Sequence, residues 1–155
     1  MTRVLFFLAL SLFLLPMYAQ NGNNNNDLPK VFVLGEHESA YEHLVLSYKA
    51  TLLKVAGNDM QKAFDTWTSF LQEIESYAQN QGMDLTGVKL WLHVFWNADG
   101  SINHIAFHLR PDSKNVDVEK LEQLFQSFSE FYRLPLTSDQ PFMHYTTVTF
   151  PVFFN

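Results

Sequence analysis

The chain has 155 residues, 47% apolar and 15% aromatic, which fits one modest globular domain and excludes a disordered tail or a collagen-like fibre. It contains no cysteine, so a disulfide framework, a thiolate metal site and a cysteine nucleophile are excluded. Its net charge of −6 and the lack of any basic cluster argue against nucleic acid as a partner.

The first nineteen residues have the pattern of a secretory signal peptide. Arg3 supplies a positive start, an apolar run extends from Val4 to Leu15, and the small residue Ala19 follows Pro16 at the cleavage position. We expect cleavage near Ala19, and export without cysteine fits the periplasm or the medium of a bacterium. The alternative is an uncleaved anchor, which would be the chain's only membrane contact, although a spanning helix needs about 20 apolar residues.

A flexible spacer and one domain are predicted for the rest of the chain. The spacer is the asparagine-rich segment 20–29, and the domain covers 30–155. Apolar residues at the spacing of one helix face predict a first helix from about Glu36 to Val55 and a second from about Met60 to Gln81. The second helix has the stronger apolar stripe, which we expect to be core. The stripe consists of Met60, Ala63, Phe64, Trp67, Leu71, Ile74, Tyr77 and Ala78.

The period of the apolar residues then changes to that of a strand. Alternation along Val88–Trp96, a turn at Asn97–Gly100 that contains Asp-Gly, and a second strand at Ser101–Leu109 predict a β-hairpin. Because the turn would have four residues, His93 is expected directly opposite His104.

The hairpin has two predicted faces. The more uniformly aliphatic face, which we expect to meet the helices, consists of Val88, Leu90, Leu92, Val94 and Trp96 with Asn103, Ile105, Phe107 and Leu109. Lys89 and Ala106 lie on the mixed face, together with the residues of a sheet-face patch that would contact solvent or a protein partner. That patch consists of Trp91, His93, Phe95, His104 and His108, and Ile102 lies on the same face outside the patch. The alternative is that the second predicted helix or the N-terminal segment covers this face.

A third helix and a last strand complete the predicted domain. Asp117 can cap the helix, whose apolar face runs to Phe131. The strand covers Phe142–Phe154, and Pro151 within it indicates a sheet edge, a bulge or the end of the strand, because proline cannot donate a ladder hydrogen bond. Strands segregated from helices predict an α+β fold, a small antiparallel sheet of the hairpin and the C-terminal strand packed on helices.

Four features of the second half of the chain follow a familiar order and spacing. They are the apolar strand Val88–Trp96, the Asp99-Gly100 turn with Ile102 two positions on, the helix opened by Asp117, and the proline-containing strand Val148–Phe154. Over roughly 87–154 they resemble the C-terminal domain of the periplasmic energy-transducing TonB proteins. The helix at 59–81 is an insertion relative to that family, and the spacer of about ten residues reaches at most roughly 33 Å. We therefore expect a divergent, stand-alone relative.

The resemblance implies a non-enzymatic protein-binding module. TonB C-terminal domains bind outer-membrane receptors by taking the receptor's short N-terminal box as an added strand, so a TonB-dependent receptor is the expected partner. The element that carries over is the last strand, if its edge is open. Its residues are His144, Tyr145, Thr146, Thr147, Val148, Thr149 and Phe150. The alternative is a structural or assembly protein of the envelope with the same fold and no receptor-box binding.

No catalytic or cofactor site is predicted. The sequence contains no nucleophile-elbow pattern, no phosphate-binding glycine loop and no dinucleotide fingerprint, so we expect neither enzyme activity nor a cofactor. His93 and His104 are weak candidates for a zinc or copper site, because no carboxylate near them in sequence completes a ligand set. Ordinary surface or hydrogen-bonded histidines are the more common case, and a pH-sensitive contact is the third interpretation.

Overall fold

A computed structural model describes residues 28–153, so the predicted signal peptide and almost all of the predicted spacer lie outside the described residues. Among the described residues, none of the helices combines the length and the apolarity that crossing a membrane requires. The described elements, in chain order, are β1 (Val31–Val33), α1 (Glu38–Ser47), β2 (Ala50–Thr51), α2 (Leu52–Val55), α3 (Met60–Asn80), β3 (Lys89–Trp96), β4 (Ile102–Leu109), α4 (Val118–Phe131) and β5 (Phe142–Thr149).

The five strands form one sheet in the order β1-β4-β3-β5-β2. The three long central strands pair antiparallel, and the short β1 and β2 pair parallel with β4 and β5 at the two sides. Helices α3 and α4 cover one face, where Trp67 contacts Trp96 and Phe125 contacts Phe107. Helix α1 lies on the other face, where Tyr41 contacts Phe95. The predicted α+β fold is thus confirmed, with helices on both faces instead of one.

The first predicted helix is wrong as a single element. Between Glu36 and Val55 the chain forms α1, the two-residue strand β2 and the one-turn helix α2. The helix ends because Tyr48 is extended (φ −90°, ψ 115°), and Ala50 then pairs with Phe142 of β5. Thr51 begins α2 by accepting a hydrogen bond from the Lys54 amide at 3.3 Å. The apolar pattern that predicts one helix in the sequence therefore continues through three separate elements, α1, β2 and α2.

The second and third predicted helices are confirmed as α3 and α4. Asp59 caps α3 by accepting from the Lys62 amide at 3.0 Å, and Asp117 caps α4 by accepting from the amides of Glu119 and Lys120. The last strand is confirmed but shorter than predicted. It ends at Thr149, two residues before Pro151, in keeping with the missing amide of proline.

The hairpin is confirmed, but its register differs from the prediction by two residues. The Asn97 amide donates to the Ser101 carbonyl, which leaves a three-residue turn, and Gly100 in that turn has φ +80° and no room for a Cβ beside the Leu134 carbonyl. A bulge at Asn103 adds the second shift, so that Phe95 pairs with His104 and Trp96 with Ile102. The predicted facing of His93 and His104 is therefore wrong.

The three-residue turn also moves two side chains to the opposite faces. Ile102 is 3% exposed and belongs to the core cluster under α3 and α4, not to the mixed face. Asn103 lies on the α1 side, where its amide donates to the Tyr48 hydroxyl at 2.8 Å. Because the short turn and the bulge shift the register by one residue each, parity is restored from His104 onward. His104, Ala106 and His108 accordingly remain on the predicted face.

Candidate functional site

The outer edge of β5 is open over most of its length. On one side β5 pairs with β3 from Phe142 to Thr149. On the other side β2 reaches only Phe142 and Met143, and among residues 28–153 no further strand pairs with His144–Thr149. This stretch, called the open edge below, comprises the predicted binding strand without Phe150. Phe150 lies past the end of β5, is 1% exposed, and directs its amide and carbonyl to Val88 and Gly87.

Three residues of the open edge direct their main-chain groups away from the sheet. The Phe150 amide donates to the Val88 carbonyl, and the register continues this pairing to Val148 and Leu90. Hydrogen-bonded and non-bonded pairs alternate in an antiparallel ladder. The main-chain amides and carbonyls of the even-numbered residues of β5 are therefore directed to β3. The amides and carbonyls of Tyr145, Thr147 and Thr149 consequently point outward. The Thr147 carbonyl also accepts a weak 3.4 Å hydrogen bond from the hydroxyl of its neighbour Thr146.

An apolar groove of about 680 Å³ lies between the open edge and α3, and is called the β5 groove below. Its β5 side is lined by His144, Thr146, Thr147, Val148 and Thr149, and its α3 side is an apolar stripe with Thr68 beside it. That stripe consists of Met60, Ala63, Phe64, Trp67 and Leu71. Leu53 of α2 lies at one end of the groove, and Pro151, Val152 and Phe153 lie at the other. Glu75 of α3 holds this C-terminal segment by accepting from the Val152 amide at 3.1 Å.

Two members of the α3 stripe are not core residues, contrary to the prediction. Met60 is 69% exposed and Phe64 is 56% exposed, whereas Trp67 is 7% exposed. Both residues lie in the first turns of α3 and line the β5 groove instead. Sequence reasoning missed them as site residues, because a residue that faces a groove has the same helical period as one that faces the core.

The described part of the β5 groove carries no fixed charge. Of the described residues, none that lines it is aspartate, glutamate, lysine or arginine. Its one titratable side chain is His144, whose ring centroid lies 4.6 Å from that of Trp67. Burial lowers the pKa of His144 below its usual value of 6.5, so the imidazole is neutral at neutral pH. The groove can therefore receive an apolar segment without burying a charge.

The predicted sheet-face patch does not form one exposed surface. His93 and Phe95 are 4% and 0% exposed, because Tyr41 and Tyr48 pack over them. The α1 region thus covers this part of the face, whereas the second predicted helix, α3, lies on the opposite face. Trp91 and His108 form a stacked cross-strand pair at the far end of the face, where His108 is exposed.

His104 lies beneath the N-terminal segment, and its Nδ1 is 3.0 Å from the Pro29 carbonyl oxygen. Burial lowers its pKa. It faces Phe95 across the hairpin, while His93 faces Ala106, so the two histidines are not a ligand pair.

The two ring nitrogens of His93 have partners within the protein. Nδ1 is 2.9 Å from the Tyr41 hydroxyl and Nε2 is 3.2 Å from the Met143 sulfur. Burial, with a smaller contribution from His144, lowers the pKa of His93 to about 4. Nowhere within residues 28–153 do three histidine, aspartate or glutamate side chains converge as metal ligands would.

Comparison with known proteins adds no assignment. The sequence matches no family model, and neither a curated protein nor a solved structure matches this chain. The resemblance to TonB C-terminal domains stays a prediction, and it rests on the four sequence features, which lie on β3, the β3–β4 turn, α4 and the segment from Val148 onward.

Proposed function

We propose that this chain is an exported, non-enzymatic binding module that takes an extended segment of a partner protein as an additional strand along β5. The observation that carries the proposal is the row of outward main-chain groups at Tyr145, Thr147 and Thr149 beside the apolar β5 groove. An added strand would form main-chain hydrogen bonds with these groups, and its alternate side chains would enter the groove.

The residues of the open edge support this use. Natural proteins protect open edges against unwanted pairing with lysine, proline, a bulge or a covering element. Between His144 and Thr149 the chain has neither lysine nor proline, and the β3–β5 register runs through without a bulge. Threonine, tyrosine and valine in this stretch are residues that favour strands. The open edge therefore suits pairing with another chain.

The resemblance to TonB C-terminal domains favours the N-terminal box of an outer-membrane receptor as the added strand. That assignment also requires export, which the N-terminal sequence predicts. A structural protein of the bacterial envelope with this fold is the second candidate. It would use the same sheet without binding a receptor box.

The test is a substitution that removes one outward main-chain amide of β5 and leaves the hydrogen bonds between β5 and β3 in place. The Thr147→Pro variant lacks that amide, whereas the matched control Thr147→Val keeps it and changes only the side chain. We expect an N-terminal box peptide from an outer-membrane receptor of the same genome to bind the wild type. Affinity measured by titration calorimetry should fall at least about tenfold in Thr147→Pro and change by less than about twofold in Thr147→Val.

Two outcomes would overturn the proposed function. One is equal affinity of the peptide for the wild type and a Thr147→Pro variant whose thermal unfolding shows it to be folded. The other is the absence of any shift in the backbone amide signals of His144–Thr149 at millimolar peptide.

A further inference from the structure

We propose that α3 makes the β5 groove selective for a guest strand with large, uncharged apolar side chains at alternate positions. The inference rests on the proposed function and names the class of partner segment. It concerns α3, which lies outside the range 87–154 over which the sequence resembles TonB C-terminal domains.

Strand geometry determines which guest side chains meet α3. Successive side chains of a strand point to opposite faces, so a guest paired with β5 presents only every second residue to the groove. On β5 itself the same alternation places His144, Thr146 and Val148 on the face of α3, where His144 contacts Trp67, and Tyr145 on the other face, where it contacts His93. The guest residues that lie beside His144, Thr146 and Val148 are those that α3 can select.

The α3 wall provides an apolar contact surface for these residues. Met60, Phe64 and Trp67 follow one another at the spacing of a helix face, and two of them are more than half exposed. No aromatic ring among residues 28–153 packs against Phe64. The comparably exposed Phe131 of α4 differs, since it packs on Tyr77 and Phe128. A flexible methionine beside a half-exposed phenylalanine can adapt to bulky guest side chains.

Both ends of the groove limit the length of the guest. At the start of the open edge, β2 already occupies Met143 and Leu53 of α2 lies against the groove. At the other end Pro151 offers no amide, and Val152 is tied to Glu75. The interval between Met143 and Pro151 corresponds to roughly 20 Å of strand. It accommodates a guest of about seven residues, with about three side chains directed at α3.

Because the described lining of the groove is uncharged, the groove should disfavour charged guest side chains. A charged guest side chain directed at α3 would lose its hydration without gaining an opposite charge from the lining. On the other face of the guest strand, charged residues would remain in solvent. The favoured guest therefore alternates apolar residues with polar or charged ones.

The test compares two acetylated and amidated heptapeptides of identical composition. In the alternating peptide, Lys-Val-Thr-Phe-Thr-Val-Lys, the three apolar residues share one strand face. In the permuted peptide, Lys-Thr-Val-Phe-Val-Thr-Lys, they are divided between the two faces. We expect the wild type to bind the alternating peptide at least about tenfold more tightly, and this ratio to fall to about twofold or less in Phe64→Ala. The matched control is Phe131→Ala, which should retain the wild-type ratio.

The outcomes separate the two proposals. If both peptides bind the wild type with similar affinity and Thr147→Pro abolishes the binding of both, strand addition stands and selection by α3 is overturned. A tenfold ratio that survives in Phe64→Ala overturns selection by α3 as well. If neither peptide binds at millimolar concentration, both proposals are overturned. A ratio that collapses in Phe64→Ala and persists in Phe131→Ala supports the inference.

Discussion

The two edges of the sheet are protected very differently. At one edge, β1 is three residues long, Val31 and Phe32 are buried, and the Lys30 side chain donates to the Ser129 carbonyl of α4 at 3.0 Å. At the other edge, β5 is eight residues long and β2 covers only its first two residues. The first edge is short and covered, whereas the second is long and lies open beside an apolar groove.

This difference indicates where the molecule can accept another chain. An open edge is a liability that natural proteins suppress, and the β1 side uses two of the usual means, a short strand and a covering element. In the part of the chain that the structure describes, the β5 side uses neither between His144 and Thr149, and α3 adds exposed Met60 and Phe64 next to it. The contrast between the edges is the basis of the proposed function, and the following predictions test it.

The largest expected effect is the difference in unfolding free energy between two phenylalanine-to-alanine variants, one at each edge. Phe32→Ala removes a ring that is 1% exposed and that contacts His37, Tyr41 and His104, so it should lower the free energy of unfolding by about 3–5 kcal/mol. Phe64→Ala removes a ring that is 56% exposed and should cost less than about 1 kcal/mol. Urea unfolding of the two variants measures both values. Equal losses would contradict the contrast between a packed edge and an open one.

A smaller loss of unfolding free energy is expected at acidic pH. It arises from a histidine on β3, the strand that lies between the two edges. His93 of β3 is 4% exposed, and its pKa is lowered to about 4 by burial and by the nearby His144. The neighbours facing it are Tyr41 of α1 and Met143 and Tyr145 of β5. A folded-state pKa below the unfolded value of about 6.5 means that the unfolded chain binds more protons between these two values. The contribution of neutral His93 is therefore complete above pH 6.5 and is lost as the pH falls toward 4.

The loss should reach up to about 3 kcal/mol across this range, with further loss from His104 and His144, whose pKa values are also lowered. Unfolding free energies measured from pH 7 to pH 4 test this expectation. The variant His93→Gln should show a clearly flatter dependence on pH than the wild type. Identical pH dependence in the two proteins would show that His93 is not held neutral by its surroundings.

The long elements could be predicted from the sequence because their signals are local. Helices α3 and α4 have wide apolar stripes and aspartate caps, and β3 has a strict alternation. The strands β1 and β2 were missed because three and two residues carry no periodicity, and they exist only through pairing with β4 and β5 far along the chain. The bulge at Asn103 was missed for the same reason, since it depends on the partner strand.

The candidate site was only half predictable. Pro151 and the strand-favouring residues before it identified β5 as a candidate edge strand from the sequence alone. The opposite wall of the groove could not be identified in this way. Met60 and Phe64 continue the apolar stripe of Trp67 and Leu71 without a break, and only the position of α3 over the sheet determines which of them reach the core.

The most direct test of strand addition at β5 is amide hydrogen exchange, followed by NMR in the free protein and with saturating receptor-box peptide. In the free protein, the outward amides of Tyr145, Thr147 and Thr149 should exchange faster than those of Thr146 and Val148, which face β3. Bound peptide should slow the exchange of the three outward amides by at least about tenfold. If the peptide binds and these three amides continue to exchange at their free rates, strand addition at β5 is contradicted.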